Sequence, residues 1–201
     1  MGFVKKPQAT HTVAVPGTVE EILTALCSPD VDKRSAAARS AVQFPECGVA
    51  LCAHLETETD LAVRAHIVTT LIKIQSPTIA ECLIHYLRSE DVGLRNDVIV
   101  ALQQMPDSVA PLMHELLRDN DVDVRIFALN ILGGMRNADA REWILEVIAR
   151  DPHMNVCATA LDALAEIGTP AMIPALQELA TRFNNDYIRF AVDVAIRRIR
   201  A

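Results

Sequence analysis

The sequence predicts an all-α fold, a right-handed α–α superhelix in which about six helix pairs stack as a solenoid. Three observations carry this. Aromatic residues make up 4% of the 201 and glycines number 7, too few rings and turns for a β-sandwich or barrel of this length. Half of the chain (51%) is apolar, enough to build a core and to exclude whole-chain disorder. Most telling, Asp followed four residues later by Arg recurs at Asp30/Arg34, Asp60/Arg64, Asp91/Arg95 and Asp121/Arg125, in steps of 30 or 31 residues. Self-similarity at that period is the mark of stacked helical units.

The elements follow in order. Residues 1–17 read as a flexible arm, and residues 18–201 as one solenoid. The arm's lysines precede no apolar run, so it is not a secretory signal; Lys6 stands where a myristoylation motif wants Ser or Thr. In the first pair, Val19, Ile22, Leu23 and Leu26 form a helical stripe, Asp30 opens the turn, and a second stripe runs through Ala37, Ala38, Ala41 and Phe44. Counting from each later Arg, positions +3, +4, +7 and +10 are again apolar. They are Ile67, Val68, Leu71 and Ile74, then Val98, Ile99, Leu102 and Met105, then Ala128, Leu129, Leu132 and Met135. Within each unit a helix A therefore precedes the Asp and a helix B follows it. Pro45, Pro77, Pro106 and Pro170 suit helix-A entry, because a first helical turn needs no N–H from them. Pro111 and Pro174 fall further in, where bends are expected. Asp151 continues the Asp series by another 30 residues, with Cys157 where the pattern looks for Arg. Asn185 and Arg189 close it, and Asp193 takes a core position of that last unit, as suits a terminal unit without a neighbour.

The residues from Asp121 to Gly133, Asp-x-x-x-Arg running on into Ala-Leu-x-x-Leu-Gly, resemble HEAT repeats of the short phycobilisome-lyase type. Gly168, ending the stretch Ala160–Ile167, fits the same pattern, and the resemblance covers residues 18–201. It implies the superhelix above, with B helices on the concave side. It also implies an alternative function as a bilin-lyase-like or chromophore-handling protein, one subunit of a pair. Deoxyhypusine hydroxylase resembles the chain in scaffold, but it carries several His-Glu pairs at helix-B starts, whereas His114-Glu115 stands alone on a helix A.

The repeated residues Asp30, Arg34, Asp60, Arg64, Asp91, Arg95, Asp121, Arg125 and Arg189 read as a structural ladder between successive units. The face of helix B opposite the core stripe is the candidate partner-binding surface. It carries His66, Asp97, Val100, Gln104, Phe127, Asn130 and Asp162, with Phe127 and Val100 as apolar anchors. No catalytic residue is expected, and no phosphate-binding Gly loop, nucleophile elbow or zinc spacing is present. Cofactors and metals are expected to be none; His66 and Asp97 share a column without a third ligand.

A formal net charge of −7 argues against a nucleic-acid partner; the helix-B face is expected to bind another protein, and the resemblance to paired lyase subunits implies a hetero-oligomer. Membrane insertion is not expected. Five cysteines, an odd number with no C-x-x-C pair, read as reduced, mostly buried thiols in a cytoplasmic protein. The leading expectation is a non-enzymatic scaffold or adaptor that grips its partner on the concave face.

Overall fold

The computed structural model describes residues 14–135 and 137–200, which are helical with no strand among them. The arm expected over residues 1–17 lies outside the described residues as far as residue 13. The chain divides into two compact units after Ile74.

The first unit holds α1 (Val19–Leu26), α2 (Val31–Ser40), α3 (Gly48–His54) and α4 (Leu61–Ile74). Thr18 caps α1 by accepting from the Glu21 N–H at 3.2 Å, and Asp30 caps α2 by accepting from Asp32 N–H at 3.0 Å. Ala36, Ala37, Ala38 and Ala41 are all buried, so α2 presents little more than methyl groups to α4. That leaves room for Thr70 of α4 to donate to the Ala38 carbonyl of α2 at 2.8 Å. Ile67 and Leu71 of α4 are fully buried, each contributing about 2 kcal/mol of burial.

The second unit begins with α5 (Pro77–His85) and α6 (Val92–Gln103). It continues with α7 (Pro106–Val109), α8 (Met113–Leu116) and α9 (Val122–Gly134). It ends with α10 (Ala140–Arg150), α11 (Met154–Ile167), α12 (Ile173–Phe183) and α13 (Asp186–Arg200). The B helices α6, α9, α11 and α13 pack in sequence, each on the next. Their inward positions follow the same stripe, counted in α11 from Cys157: Val98, Ile99, Leu102 and Met105, Ala128, Leu129 and Leu132, and Ala160, Leu161 and Leu164 are all buried. Pro77 and Pro106 open α-helices, whereas Pro45 and Pro170 open short 3-10 turns. Pro111 splits its helix A: α7 and α8 are single turns joined by a 3-10 segment over Ala110–Leu112. Pro174 produces no such break, because it lies in the first turn of α12, where no N–H is required of it.

The fifth unit departs from the expected register by two residues. Asp151 does not cap α11; the cap position is His153. Asp151 accepts from the His153 N–H at 2.8 Å, as Asp119 accepts from the Asp121 N–H at 2.8 Å and Glu58 from the Asp60 N–H at 2.8 Å. It therefore corresponds to Asp119 rather than to Asp121. Of the cysteines, Cys27 is an exposed free thiol, and Cys47 and Cys157 are buried free thiols. Cys52 and Cys82 are not free thiols, which corrects the expectation of five reduced cysteines and removes its support for a reducing compartment.

The Arg34–Glu58 pair is the most enclosed charge in the first unit. Glu58 is 1% exposed and accepts from Arg34 Nε at 2.7 Å and Nη2 at 3.0 Å. Burial opposes its ionisation, but Arg34, the Asp60 N–H and His54 together hold the carboxyl at about 2. An unfolded glutamate titrates near ~4.3, so the pair's contribution is complete above that value and is lost as pH falls toward 2. Glu58→Gln should cost about 3 kcal/mol at pH 7 by leaving Arg34 without its counter-charge. Urea unfolding at neutral and acidic pH checks both points, and the variant should lose less stability on acidification than the wild type.

Candidate partner-binding face

The ladder decides which side of each helix B is left open. Each repeat Arg turns its guanidinium back across the A–B turn and donates to the carbonyl six residues earlier. Arg34 reaches Ser28 O at 2.9 Å, Arg64 reaches Glu58 O at 3.0 Å, Arg125 reaches Asp119 O at 2.8 Å, and Arg95 reaches Ser89 O. The repeat Asp residues act elsewhere, as N-caps: Asp60 accepts from Ala62 and Val63, Asp91 from Leu94, and Asp121 from Asp123. The carboxylates that meet the arginines sit two residues before a cap. Arg125 donates to both oxygens of Asp151, at 2.8 and 3.3 Å, as Arg34 does to Glu58. Arg189 instead pairs locally with Asn184 and Asp186.

Cys157, in the place of an Arg, donates through its thiol to Asp151 O at 3.4 Å. Arg182 of α12 completes the missing role, giving one Nη to Ala149 O and the other to Asp151 O at 3.0 Å and to Cys157 Sγ at 3.3 Å. Burial pushes the Cys157 thiol up to about 11, with the Arg182 charge acting in the opposite direction.

With the guanidiniums drawn to the turns, the outward faces of α6, α9 and α11 carry Val100, Asn130 and Asp162 at equivalent positions, all exposed. Val100 is 51% exposed. Between α9 and α11 lies an open groove of about 490 Å³, lined by Gln103, Ile126, Asn130, Gly133, Asp162 and Glu166 among others. Glycine makes its floor. A Cβ at Gly133 would stand 3.5 Å from the Ala163 Cβ, in ordinary contact, so the two helices approach closely there. At Gly134 a Cβ would fall 2.4 Å from the Gln103 carboxamide, which lies over bare backbone and donates to Asn130 O at 3.0 Å.

The other expected residues are placed differently. Phe127 is half-buried, with the Arg95 guanidinium 5.4 Å from its ring centre, so the chain itself covers part of the proposed anchor. Gln104 is exposed and donates to Val100 O at 3.4 Å, while Asp97 is half-buried on α6. His66 lies in the first unit, its Nε2 accepting from Arg39 at 3.0 Å beside Asp32, Ser35 and Asp60 in a cavity of about 540 Å³.

A second cavity of the second unit, about 340 Å³, was not foreseen. It is bounded by His114, Arg118, Trp143, Glu146, Arg150 and Asp151 among others, with the His114 and Trp143 rings edge-to-face at 5.4 Å. His114 and Trp143 are 29 positions apart, close to the repeat period, which is the signal in the sequence that joins them. Among the described residues, no three His, Cys, Asp or Glu side chains are grouped to hold a metal ion. No helix is long and apolar enough to cross a membrane.

These features define a protein of helix-pair repeats with an open helix-B face. Residues 109–197, from the end of α7 into α13, match the family of HEAT repeats. None of the curated proteins is similar to the sequence. Among solved structures, the chain is similar to an archaeal HEAT-like repeats protein from Thermococcus onnurineus NA1 at 17% identity, covering 89% of this chain and 85% of that one with a TM-score of 0.44. An engineered protein is 18% identical over 90% of this chain and 96% of its own, with a TM-score of 0.42. The complex of CpcE and CpcF of phycocyanin lyase from Nostoc sp. PCC7120 is 17% identical over 98% and 100%, with a TM-score of 0.39. Likeness at these levels concerns helical architecture and says nothing of activity.

Among the free thiols, exposed Cys27 should react with iodoacetamide at mildly alkaline pH while Cys157, buried and held as the thiol, waits for unfolding. Peptide mapping of alkylated protein, native against denatured, checks the order.

Proposed function

We propose that the chain is a non-catalytic protein-binding module that seats its partner on the helix-B face of the second unit. The carrying observation is the α9–α11 groove, where Gly133 and Ala163 bare the floor while Asn130 and Asp162 stand exposed on the rim. Unfilled relief with hydrogen-bonding edges beside an exposed Val100 suits a peptide segment or helix of another protein. Asp162 favours a partner that brings a Lys or Arg, and Val100 one that brings an apolar side chain beside it.

Asn130→Arg combined with Asp162→Arg should weaken capture of the partner by about tenfold or more, because it fills the groove and reverses its charge. Arg118→Glu with Arg150→Glu alters only the cavity beside Trp143 and should bind as the wild type does. Quantitative pull-down with matched helicity for all three proteins makes the comparison. Retained binding by the groove variant, with loss by the other, would sink the assignment.

A further inference from the structure

The outer face of α13 differs in composition from the equivalent faces of α6, α9 and α11. Four residues after the ladder position, α6, α9 and α11 carry Ile99, Leu129 and Leu161, all buried, whereas α13 carries Asp193, which is exposed. One residue after it they carry Asn96, Ile126 and Ala158, whereas α13 carries Phe190, 63% exposed. Eight after it they carry Gln103, Gly133 and Ala165, and α13 carries Arg197. In α9 these register positions face the next helix B: Ile126, Leu129 and Gly133 line its side of the groove, with Gly133 against Ala163 of α11. Phe190, Asp193 and Arg197 thus form the stacking face of α13, while α11 and α12 pack on its other sides.

The charges on this face are arranged to answer one another. Arg198 is engaged by Glu166 of α11 at 2.6 Å, and Arg189 by Asp186 at 3.4 Å. Among the described residues, no ion pair engages Asp193, Arg197 or Arg200; Arg197 gives only its Nε to the Asp193 backbone carbonyl, at 3.3 Å. An acid and a base one helical turn apart are self-complementary under one operation, an antiparallel two-fold, which sets each Asp opposite the other copy's Arg. In the same register (193 with 197, hence 190 with 200) Phe190 falls against Arg200 of the second copy. The chain already places guanidiniums by phenyl rings, Arg95 over Phe127 at 5.4 Å and Arg182 over Phe183 at 4.9 Å.

We propose that this face is a homodimer contact, in which α13 of two copies packs antiparallel about a two-fold axis between Asp193 and Arg197. The occupant is a second copy because the face complements itself: it carries both signs of charge in one stripe and a ring matched to its own Arg. A partner of a single charge sign would meet repulsion from either Asp193 or Arg197.

Sedimentation equilibrium on the full chain, over a concentration range of about a hundredfold, tests this. Wild type should pass from monomer to dimer with rising concentration. Asp193→Arg alone and Arg197→Asp alone should each stay monomeric, since like charges then face each other twice. An equimolar mixture of the two variants should dimerise again, because every reversed charge then meets its opposite on the other chain. Phe190→Asp should raise the dissociation constant by about tenfold or more. All these positions are exposed, and circular dichroism confirms equal helicity. A wild type that remains monomeric throughout, a dimer indifferent to the three substitutions, or a mixture that fails to recover would each overturn the proposal.

Discussion

One guanidinium geometry recurs through the first four helix pairs. Helix A ends with carbonyls that lack an intrahelical donor, and the tight A–B turn buries some of them before water can reach. The repeat Arg, one turn into helix B, is long enough to reach back to the carbonyl six residues earlier, as Arg34, Arg64, Arg95 and Arg125 all do. In Arg34 and Arg125 the remaining N–H groups are aimed at the carboxylate before the next cap, Glu58 and Asp151 respectively. In those two places the same side chain closes a turn and fixes the spacing to the next one. A Lys could not do both, because it lacks the planar fork that divides between carbonyl and carboxylate.

This arrangement settles what the outward face of helix B can contain. Since the large cations are recruited to the turns, the face between them is left to short polar and apolar residues, and Val100, Asn130 and Asp162 occupy it with little help from neighbours. A groove needs bare backbone as much as it needs side chains, which is why Gly133, against Ala163, matters to the α9–α11 cleft. The cleft is therefore a product of the ladder and of glycine placement together.

Much of the fold was legible because it is periodic. The stripe at +3, +4, +7 and +10 needed only the 3.6-residue repeat of a helix, and burial follows it through α6, α9 and α11. Capping by Asp30 and Asp121 follows from the same local logic. What escaped depends on groups distant in sequence. The fifth unit is longer by two residues, so Asp151 keeps the period while changing its role, and only the hydrogen bond from His153 reveals this. Glu58 shares its repeat position with Asp119 and Asp151 but not its residue type, and its burial against Arg34 makes it the acid that matters in the first unit. Phe127 looked like an exposed anchor because nothing in its own helix says that Arg95 lies over it. Side-chain direction from a neighbouring helix is not a property of either helix alone.

The substitution at Cys157 has a consequence for how such a chain can be rearranged. Where the repeat Arg is present, a pair closes its own A–B turn, with both partners of that bond inside one unit. At Cys157 the closing cation comes instead from Arg182, on the first helix of the following pair. Pairs five and six are consequently one cassette. Duplication, deletion or grafting that cuts between Ile167 and Ile173 would strand the carbonyls of Ala149 and Asp151 without their donor. A cut between α8 and α9 instead severs an Arg from its own carbonyl. The natural seams of the second unit lie after α6 and after α9, where each pair carries its own closure intact.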